Sequence, residues 1–251
     1  MTLAPIKIIE PRWDAPRQVR AICTTRQGGF SKSPFDSLNL AAHVGDAPAD
    51  LIRNRRHLGE ALNLPAEPDW LQQTHSTSVV TLEQDSLRQA DAAITRRPDT
   101  VAVVMTADCL PILLCNREGS EVAAIHAGWR GLVNGVVQAT LTQMNSPPEQ
   151  LLAWIGPAIS QSHFEVGPEV HAAFVTQHDS AKDRFVSNRP GHWICDLAGL
   201  AADSLNRLGL IDVHRSEYCS YADADLFFSY RRNPETGRMA SLIWIDGALE
   251  K

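Results

Sequence analysis

The chain has 251 residues, of which 44% are apolar and 21% charged, so it can bury a substantial core. With 29 acidic and 23 basic residues, its formal charge of −6 argues against a nucleic-acid backbone or an anionic membrane as the main partner. No apolar run approaches the ~20 residues needed to span a bilayer, and the first residues lack an export-signal pattern. We therefore expect one domain over residues 1–251, in a cytoplasmic protein that is monomeric or weakly self-associating.

Helices and short apolar runs alternate along the chain. Apolar spacing and end signals predict helices at residues 46–65, 130–144, 167–178 and 196–209. Short apolar runs bounded by turn residues predict buried strands at residues 101–105, 111–115, 122–126, 151–155 and 241–245. This interleaving favours the mixed α/β class.

Three reactive side chains lie where predicted strands meet small or hydroxyl residues: His75 in QQTHSTSV, Cys109 in TADCLPI and His126 in AAIHAGWRG. Taken singly, each has a structural explanation, because histidines at strand ends and cysteines in apolar runs are usually packing residues. Together, two imidazoles and a thiolate form a ligand set suited to Zn²⁺, with Cu²⁺ as an alternative. The odd count of five cysteines also argues against a disulfide framework.

Two arginine-containing turns suggest an anion site. Arg130 opens a predicted helix after GW, and Arg26 precedes two glycines in TTRQGGFS, so both turns combine a cation with backbone amides. An ordinary turn with a solvated arginine remains an equal alternative for Arg26. Asp108, next to Cys109, is expected either to orient a ligand or to relay a proton; capping a turn before Pro111 is the structural alternative.

Common catalytic motifs are absent: the sequence has no G-x-G-x-x-G, P-loop, G-x-S-x-G or H-E-x-x-H. Seven segments nevertheless occur in a characteristic order: TTRQGGFS, QTHS, ADAAIT, TADCLPILL, HAGWRG, GPAIS…FEVG and FSYRR…GRMAS. By these segments the chain resembles, over residues 20–246, the YfiH-like proteins. That family has also been called laccase-domain or multicopper polyphenol oxidases and, more recently, purine nucleoside phosphorylases.

The resemblance implies a mixed α/β fold of duplicated strand-helix-strand-strand units forming mixed sheets, with Zn²⁺ on His75, Cys109 and His126. It also implies phosphorolysis of adenosine, inosine and methylthioadenosine, together with adenosine deamination. The catalytic residues would then be Asp108, Cys109 and Arg130. Residues expected to bind the substrates, a purine nucleoside and phosphate, are Arg26, Asn39, His43, Gln73, Ser76 and Arg130.

Three other functions stay open at this point. One branch of the family is described as editing a peptidoglycan precursor by removing wrongly incorporated serine. In such a hydrolase, metal-bound water or Cys109 paired with a histidine would attack an amide. Copper-dependent phenol oxidation is described for some members, and a protein with a structural zinc would be a binding module without catalysis.

Overall fold

The computed structural model describes residues 5–249. Its helices are α1 Pro48–Leu62, α2 Trp129–Val133, α3 Val136–Gln143, α4 Pro168–Gln177 and α5 Leu197–Arg207. Its strands are β1 Ile8–Ile9, β2 Val19–Thr24, β3 Asp69–Trp70, β4 Val79–Thr81, β5 Ala92–Thr95, β6 Ala102–Thr106, β7 Leu110–Asn116, β8 Val122–Ala127, β9 Leu151–Ile155, β10 Glu165–Val166, β11 Phe185–Arg189, β12 His192–Cys195, β13 Asp212–Arg215 and β14 Met239–Ile245. The predicted mixed α/β class is confirmed.

The six-stranded sheet has the order β13-β9-β7-β8-β5-β4. Strand β7 lies between β8 and β9 and is antiparallel to both, with Pro111 opposite His126. The sheet is mixed because β13 runs parallel to β9 and β4 runs parallel to β5. Every residue of β7 is buried, since alternate side chains point to opposite faces and both faces are covered. Burial of both faces of the strand explains why its sequence is a continuous apolar run.

A five-stranded sheet of order β1-β2-β14-β6-β3 packs against the first sheet. Leu113 of β7 and Val104 of β6 share the core between the two sheets. On the other face of β7, Ile112 packs into a second core with α3, α4 and α5. Leu242 of β14 packs with Leu58 of α1 on the outer face of the five-stranded sheet. The order of layers is therefore α1, the two sheets, and α3 to α5.

Three predicted helices are confirmed as α1, α4 and α5, with ends a few residues inside the predicted ones. The single helix predicted over residues 130–144 is wrong, because the structure divides it into α2 and α3. Gly135 between them adopts φ +93°, a left-handed conformation that a continuous helix excludes and that glycine adopts without steric cost. Apolar spacing persists across this break, which is why the sequence pattern did not reveal it.

The sequence pattern missed the three-stranded sheet of order β10-β12-β11 and also strands β1, β2, β3, β5 and β13. Most residues of β11 are exposed, so it carries little apolar patterning. Among the described residues no helix is both long and apolar enough to cross a membrane. The single domain, the duplicated unit, the cytoplasmic location and the oligomeric state stay predictions.

Candidate metal centre

The three predicted ligands come together at one end of the sheets. His75 lies in the loop between β3 and β4, Cys109 in the turn between β6 and β7, and His126 in β8. Because Leu110 pairs with Ala127 in the β7–β8 ladder, Cys109 lies beside the end of β8. One donor atom from each side chain lies within 4.8 Å of the other two, and His75 Nε2 is 3.9 Å from Cys109 Sγ.

The donor set fits a metal ion. Zinc bonds of about 2.3 Å to sulfur and about 2.0–2.1 Å to nitrogen would put the donor atoms of a tetrahedral site about 3.5 Å apart. The observed separations are wider, at 3.9 Å between His75 Nε2 and Cys109 Sγ and up to 4.8 Å within the group, and His75 is exposed. Three ligands leave a fourth position for a small molecule, which is the pattern of catalytic rather than structural zinc sites.

A buried carboxylate, Asp91, organises two of the three ligands. It accepts hydrogen bonds from the backbone N–H groups of Thr74, His75 and Ser76 at 3.1, 3.0 and 2.6 Å and from the Ser76 hydroxyl at 2.7 Å. The same carboxylate lies 2.7 Å from Nδ1 of His126. Asp91 therefore fixes the His75 loop and leaves Nε2 of His126 for a metal, as carboxylates that accept the other ring N–H of a metal-bound histidine do.

The environment of Asp91 keeps it charged. Burial alone would raise the pKa of this carboxyl, but hydrogen bonds from His126 and Ser76 hold it well below its usual range. Burial likewise lowers the pKa of His126, but the negative charges of Cys109 and Asp91 outweigh burial and raise that pKa to about 9. The charges of this cluster thus stabilise one another.

Cys109 differs from the core cysteines in its protonation. Burial raises the pKa of the Cys109 thiol, but the charge of His126 and hydrogen bonds from His126 and His75 outweigh burial, and the pKa falls to about 6. A thiolate is the form that binds a metal or acts as a nucleophile. Burial instead raises the pKa to about 12 in Cys23, Cys115 and Cys195.

Gly128 permits the close approach of the ligands. A Cβ atom at this position would lie 2.8 Å from Cδ2 of His75 and 3.0 Å from Sγ of Cys109. Real Cβ atoms are hardly ever found at the shorter of these distances, so any side chain here would push two ligands apart. The glycine that follows the His126 strand is therefore required by packing around the site and not by its backbone angles.

The cluster opens into a cavity of about 550 Å³. Beside the three ligands, the cavity walls include three arginines and three aromatic residues, which are Arg130, Arg231, Arg238, Trp129, Phe164 and Tyr230. The predicted substrate residues His43 and Gln73 also line it. Burial, followed by the charges of Arg238 and His126, lowers the pKa of His43. The Gln73 amide is held by the backbone of Met105, at 2.8 and 2.7 Å.

Arg26, predicted to bind the substrate, lies outside this cavity. Its Nε donates to the backbone oxygen of Asp36 at 2.8 Å, and its Nη2 is 3.2 Å from the Asp36 carboxylate. It lines a separate cavity with Gly28 and Ser37. The turn predicted from the two glycines exists, but its arginine is neutralised by the Asp36 carboxylate, ten positions further along the chain, which the sequence pattern did not suggest.

Asn39 and Ser76 also lie behind the cavity wall, although both were predicted to bind the substrate. Asn39 is fully buried, and its Oδ1 accepts the backbone N–H of Arg238 at 3.1 Å. Ser76 uses its hydroxyl to hold Asp91. Each therefore acts on the site through another residue.

Asp108, predicted to be catalytic, lines the cavity and adopts φ +89°. Its carboxylate accepts the hydroxyls of Ser220 and Ser229 at 2.6 and 3.0 Å and the backbone N–H of Arg231 at 2.7 Å. Both oxygens are thus engaged by the segment 220–231. Ligand orientation through this segment fits these contacts better than proton transfer.

Asp91, Arg231 and Arg238 were missed as functional residues. Asp91 lies in ADAAIT as an acid among small apolar residues, and a buried carboxylate needs partners, so its position was a usable signal. The two arginines lie in FSYRR…GRMAS, more than a hundred residues after Cys109. Only the fold shows that they reach the same cavity.

Comparison with known proteins places this geometry in a family. The family described as multi-copper polyphenol oxidoreductase laccase matches residues 20–246 of the chain. The chain belongs to this laccase-domain family.

Individual relatives can be aligned with almost the whole chain. A purine nucleoside phosphorylase of Pseudomonas aeruginosa is 47% identical over 238 residues, covering 94% of this chain and 98% of the relative. The purine nucleoside phosphorylase YfiH of Escherichia coli is 46% identical over 241 residues, covering 95% and 99%. A solved protein of Neisseria meningitidis is 44% identical with a TM-score of 0.92, covering 96% and 99%. The resemblance to the YfiH-like proteins is confirmed, and the relatives' names support an enzyme acting on small molecules.

Proposed function

We propose that this laccase-domain protein is a zinc-dependent purine nucleoside phosphorylase that acts on adenosine, inosine and methylthioadenosine and also deaminates adenosine. The observation that carries the proposal is the His75–Cys109–His126 cluster, which lines a cavity whose other walls include arginines and aromatic rings. The arginines suit an oxyanion such as phosphate, and the aromatic rings suit a purine. The names of the relatives support the same reaction.

In phosphorolysis, an oxygen of phosphate forms a bond to C1′ of the ribose while the bond from C1′ to the purine nitrogen breaks. The purine leaves with the electron pair and takes up a proton from water, and the other product is ribose-1-phosphate. Cleavage of this kind develops positive charge on the sugar, so the nucleophile must be held close and correctly oriented. The chain's contribution is to bind phosphate through arginine and to fix the purine against the aromatic wall.

A zinc ion bound to His75, Cys109 and His126 would supply a Lewis acid and acidify a water ligand to a pKa of about 7. Asp91 would hold the backbone of His75 and the ring of His126 in place for this role. Deamination, in which water replaces the amino group of adenosine to give inosine and ammonia, suits the same site. The apolar part of the wall, which includes Ile159 and Leu197, helps exclude other water from the cavity.

The test combines metal content with product analysis. Wild type and Cys109→Ala are purified without added metal, and adenosine and inosine turnover is followed in phosphate and in phosphate-free buffer. We expect near-stoichiometric zinc that is lost in Cys109→Ala, ribose-1-phosphate only when phosphate is present, and ammonia from adenosine in either buffer. Cys115→Ala is the matched control, because this thiol lies in the core of β7 and should retain both metal and turnover.

Absence of nucleoside turnover in zinc-loaded wild type would refute the phosphorylase. Absence of zinc would refute the metal centre. Copper-loaded protein assayed with a phenol tests the oxidase alternative. Residues 5–249 contain one cluster of three candidate ligands, whereas a multicopper centre needs more than one such cluster, which argues against the oxidase. The thiolate and two imidazoles could nevertheless take up Cu²⁺ adventitiously.

A second function is favoured by one observation. Cys109, with its pKa of about 6 and His75 at 3.9 Å, also resembles a cysteine nucleophile beside its base. We propose as the alternative an amide hydrolase that removes serine from a peptidoglycan precursor. A thiolate cannot be a zinc ligand and a nucleophile in the same state. Covalent labelling of Cys109 by iodoacetamide, blocked by zinc, would therefore favour the phosphorylase, whereas labelling that zinc does not affect would favour the hydrolase.

A further inference from the structure

The cavity beside the metal centre is electropositive in a protein of net negative charge. Three of its wall residues are arginines, and among the described residues Asp108 is the only carboxylate that lines it. That carboxylate already accepts three hydrogen bonds from the segment 220–231. The chain as a whole carries a formal charge of −6, so this local excess of cations is not a general surface property. Such a cavity attracts an anion.

Arg238 is the arginine of the cavity wall whose orientation suits anion binding best. It is half-buried, and its Nη1 donates to the backbone oxygens of Thr236 and Gly237 at 2.8 and 2.9 Å. Its own backbone N–H is held by Asn39. These contacts fix the guanidinium plane, while Nε and Nη2 have no hydrogen-bond partner in the described part of the chain. That edge of a guanidinium is the fork that binds two oxygens of one oxyanion.

The other arginines near the cavity are less suited to this role. Arg232 is already engaged in hydrogen bonds within the protein, because its Nη1 donates to the backbone oxygens of Ser220 and Tyr221. Arg231 and Arg130 are exposed, so solvent screens their charge. Arg130 stacks on Trp129, 4.3 Å from the ring centre, and Arg231 donates from its Nη1 to the backbone oxygen of Glu165 at 3.0 Å. Arg238 instead combines partial burial, fixed orientation and an unused edge.

We propose that the Nε–Nη2 edge of Arg238 is the phosphate-binding element of the site, oriented by Asn39 through the Arg238 backbone, with Arg130 and Arg231 as secondary cations. The inference rests on the proposed phosphorylase function, whose nucleophile is phosphate. It replaces the sequence-based assignment of this role to Arg26 and makes Arg130 secondary. Burial, opposed by the charges of Cys109 and Asp108, lowers the pKa of Arg238, which is consistent with a cation that an anion would stabilise.

The test measures phosphate binding and phosphate kinetics separately. Inorganic phosphate is titrated into the zinc-loaded protein by calorimetry, and KM for phosphate and for inosine is measured for wild type, Arg238→Lys and Arg238→Ala. The Lys variant keeps the charge but loses the fork, so we expect phosphate Kd and KM to rise about 3- to 10-fold. The Ala variant should raise both about 10- to 100-fold, because a charge-assisted bidentate contact is lost. KM for inosine should change less than threefold in both variants.

Arg117→Lys is the matched control, since Arg117 forms an exposed ion pair with Asp212 and does not line the cavity. Zinc content and melting temperature confirm that each variant is folded. Unchanged phosphate binding in folded Arg238→Ala would overturn the inference, and phosphorolysis by that variant would show that the proposed function itself survives. Conversely, wild type without phosphorolysis would refute the proposed function, while phosphate binding that Arg238→Ala loses and Arg117→Lys keeps would still support the anion site.

Discussion

Replacing Asp91 with asparagine is the sharpest single perturbation of this site. The change preserves size and shape but converts one oxygen, which accepts hydrogen bonds, into an amide group that donates them. In the native site Oδ2 accepts from Thr74 and from the backbone and hydroxyl of Ser76, and Oδ1 accepts from His75 and His126. Whichever of the two oxygen positions the new NH2 group occupies, it faces at least two hydrogen-bond donors that it cannot accept from. The loop that carries His75 and the ring of His126 therefore both lose their common anchor.

The magnitude follows from these contacts. Loss of a carboxylate behind a ligating histidine weakens metal binding by about 10- to 100-fold, or roughly 1.4–2.7 kcal/mol. Leaving two buried donors without an acceptor costs about 1–3 kcal/mol each, so the metal-free protein should lose about 3–5 kcal/mol of unfolding free energy. The loss is large because Asp91 is fully buried and water cannot replace the missing acceptor.

The pH dependence has a defined sign. The folded pKa of Asp91 lies below its unfolded value of about 3.9, so its contribution to stability is complete above about pH 5 and is lost as the pH falls through the folded pKa. At about pH 5 the difference in unfolding free energy between the metal-free wild type and Asp91→Asn should therefore include the whole contribution of the charged Asp91. Below about pH 4 it should narrow.

The assay is urea denaturation of chelator-treated protein across this pH range, together with zinc affinity from competition with a coloured chelator. Asp85→Asn is the matched control, since Asp85 is an exposed aspartate that accepts the Thr81 backbone N–H at 2.6 Å outside the cavity. Zinc affinity in Asp91→Asn within threefold of wild type would refute the anchoring role. A stability difference that does not narrow between about pH 5 and about pH 3 would contradict the assigned charge state of Asp91.

Three further predictions concern the same site. Gly128→Ala should weaken zinc binding about tenfold or more, because its Cβ would crowd two ligands. Gly131→Ala should not, since the nearest atom there is 3.4 Å away. Asp108→Asn should raise KM for phosphate about tenfold with zinc content unchanged, because the Asp108 carboxylate holds the segment 220–231 that leads to Arg238. Loss of zinc in this variant would contradict the assignment of Asp108 to the anion side of the cavity. Zinc at 100 times its Kd should stabilise the stripped wild type by about 2.7 kcal/mol, or roughly 5–10 °C in Tm, and should leave Cys109→Ala unchanged in a thermal melt.

Two of the three candidate metal ligands were predictable because they lie at the ends of strongly apolar runs. Such runs mark buried strands, and strand ends are where reactive side chains reach solvent from a rigid support. Cys109 and His126 lie at such strand ends, His75 lies in a polar loop segment, and the structure brings one donor atom of each within 4.8 Å of the other two. The apolar runs also sufficed to indicate the α/β class, although they gave neither strand order nor the division into two packed sheets.

The anion side of the cavity was not predictable in the same way. Arg231 and Arg238 reach it from a segment without regular structure, and no local pattern distinguishes them from Arg26, which pairs with Asp36. Whether an arginine is neutralised depends on contacts between distant parts of the chain. The break between α2 and α3 was missed for a related reason, because a glycine inside an apolar pattern shows its positive φ only when the surrounding packing is known.

The neighbouring residues Asp108 and Cys109 serve different halves of the site. Cys109 joins the metal half, in which Asp91 holds the His75 loop to His126. Asp108 joins the anion half, in which its carboxylate holds the segment that leads to Arg238. The positive φ of Asp108 occurs at the peptide that connects the two halves, where an unusual conformation is retained because both sides determine it. If the proposed function is correct, a substrate held between zinc and phosphate would be positioned by the turn between β6 and β7.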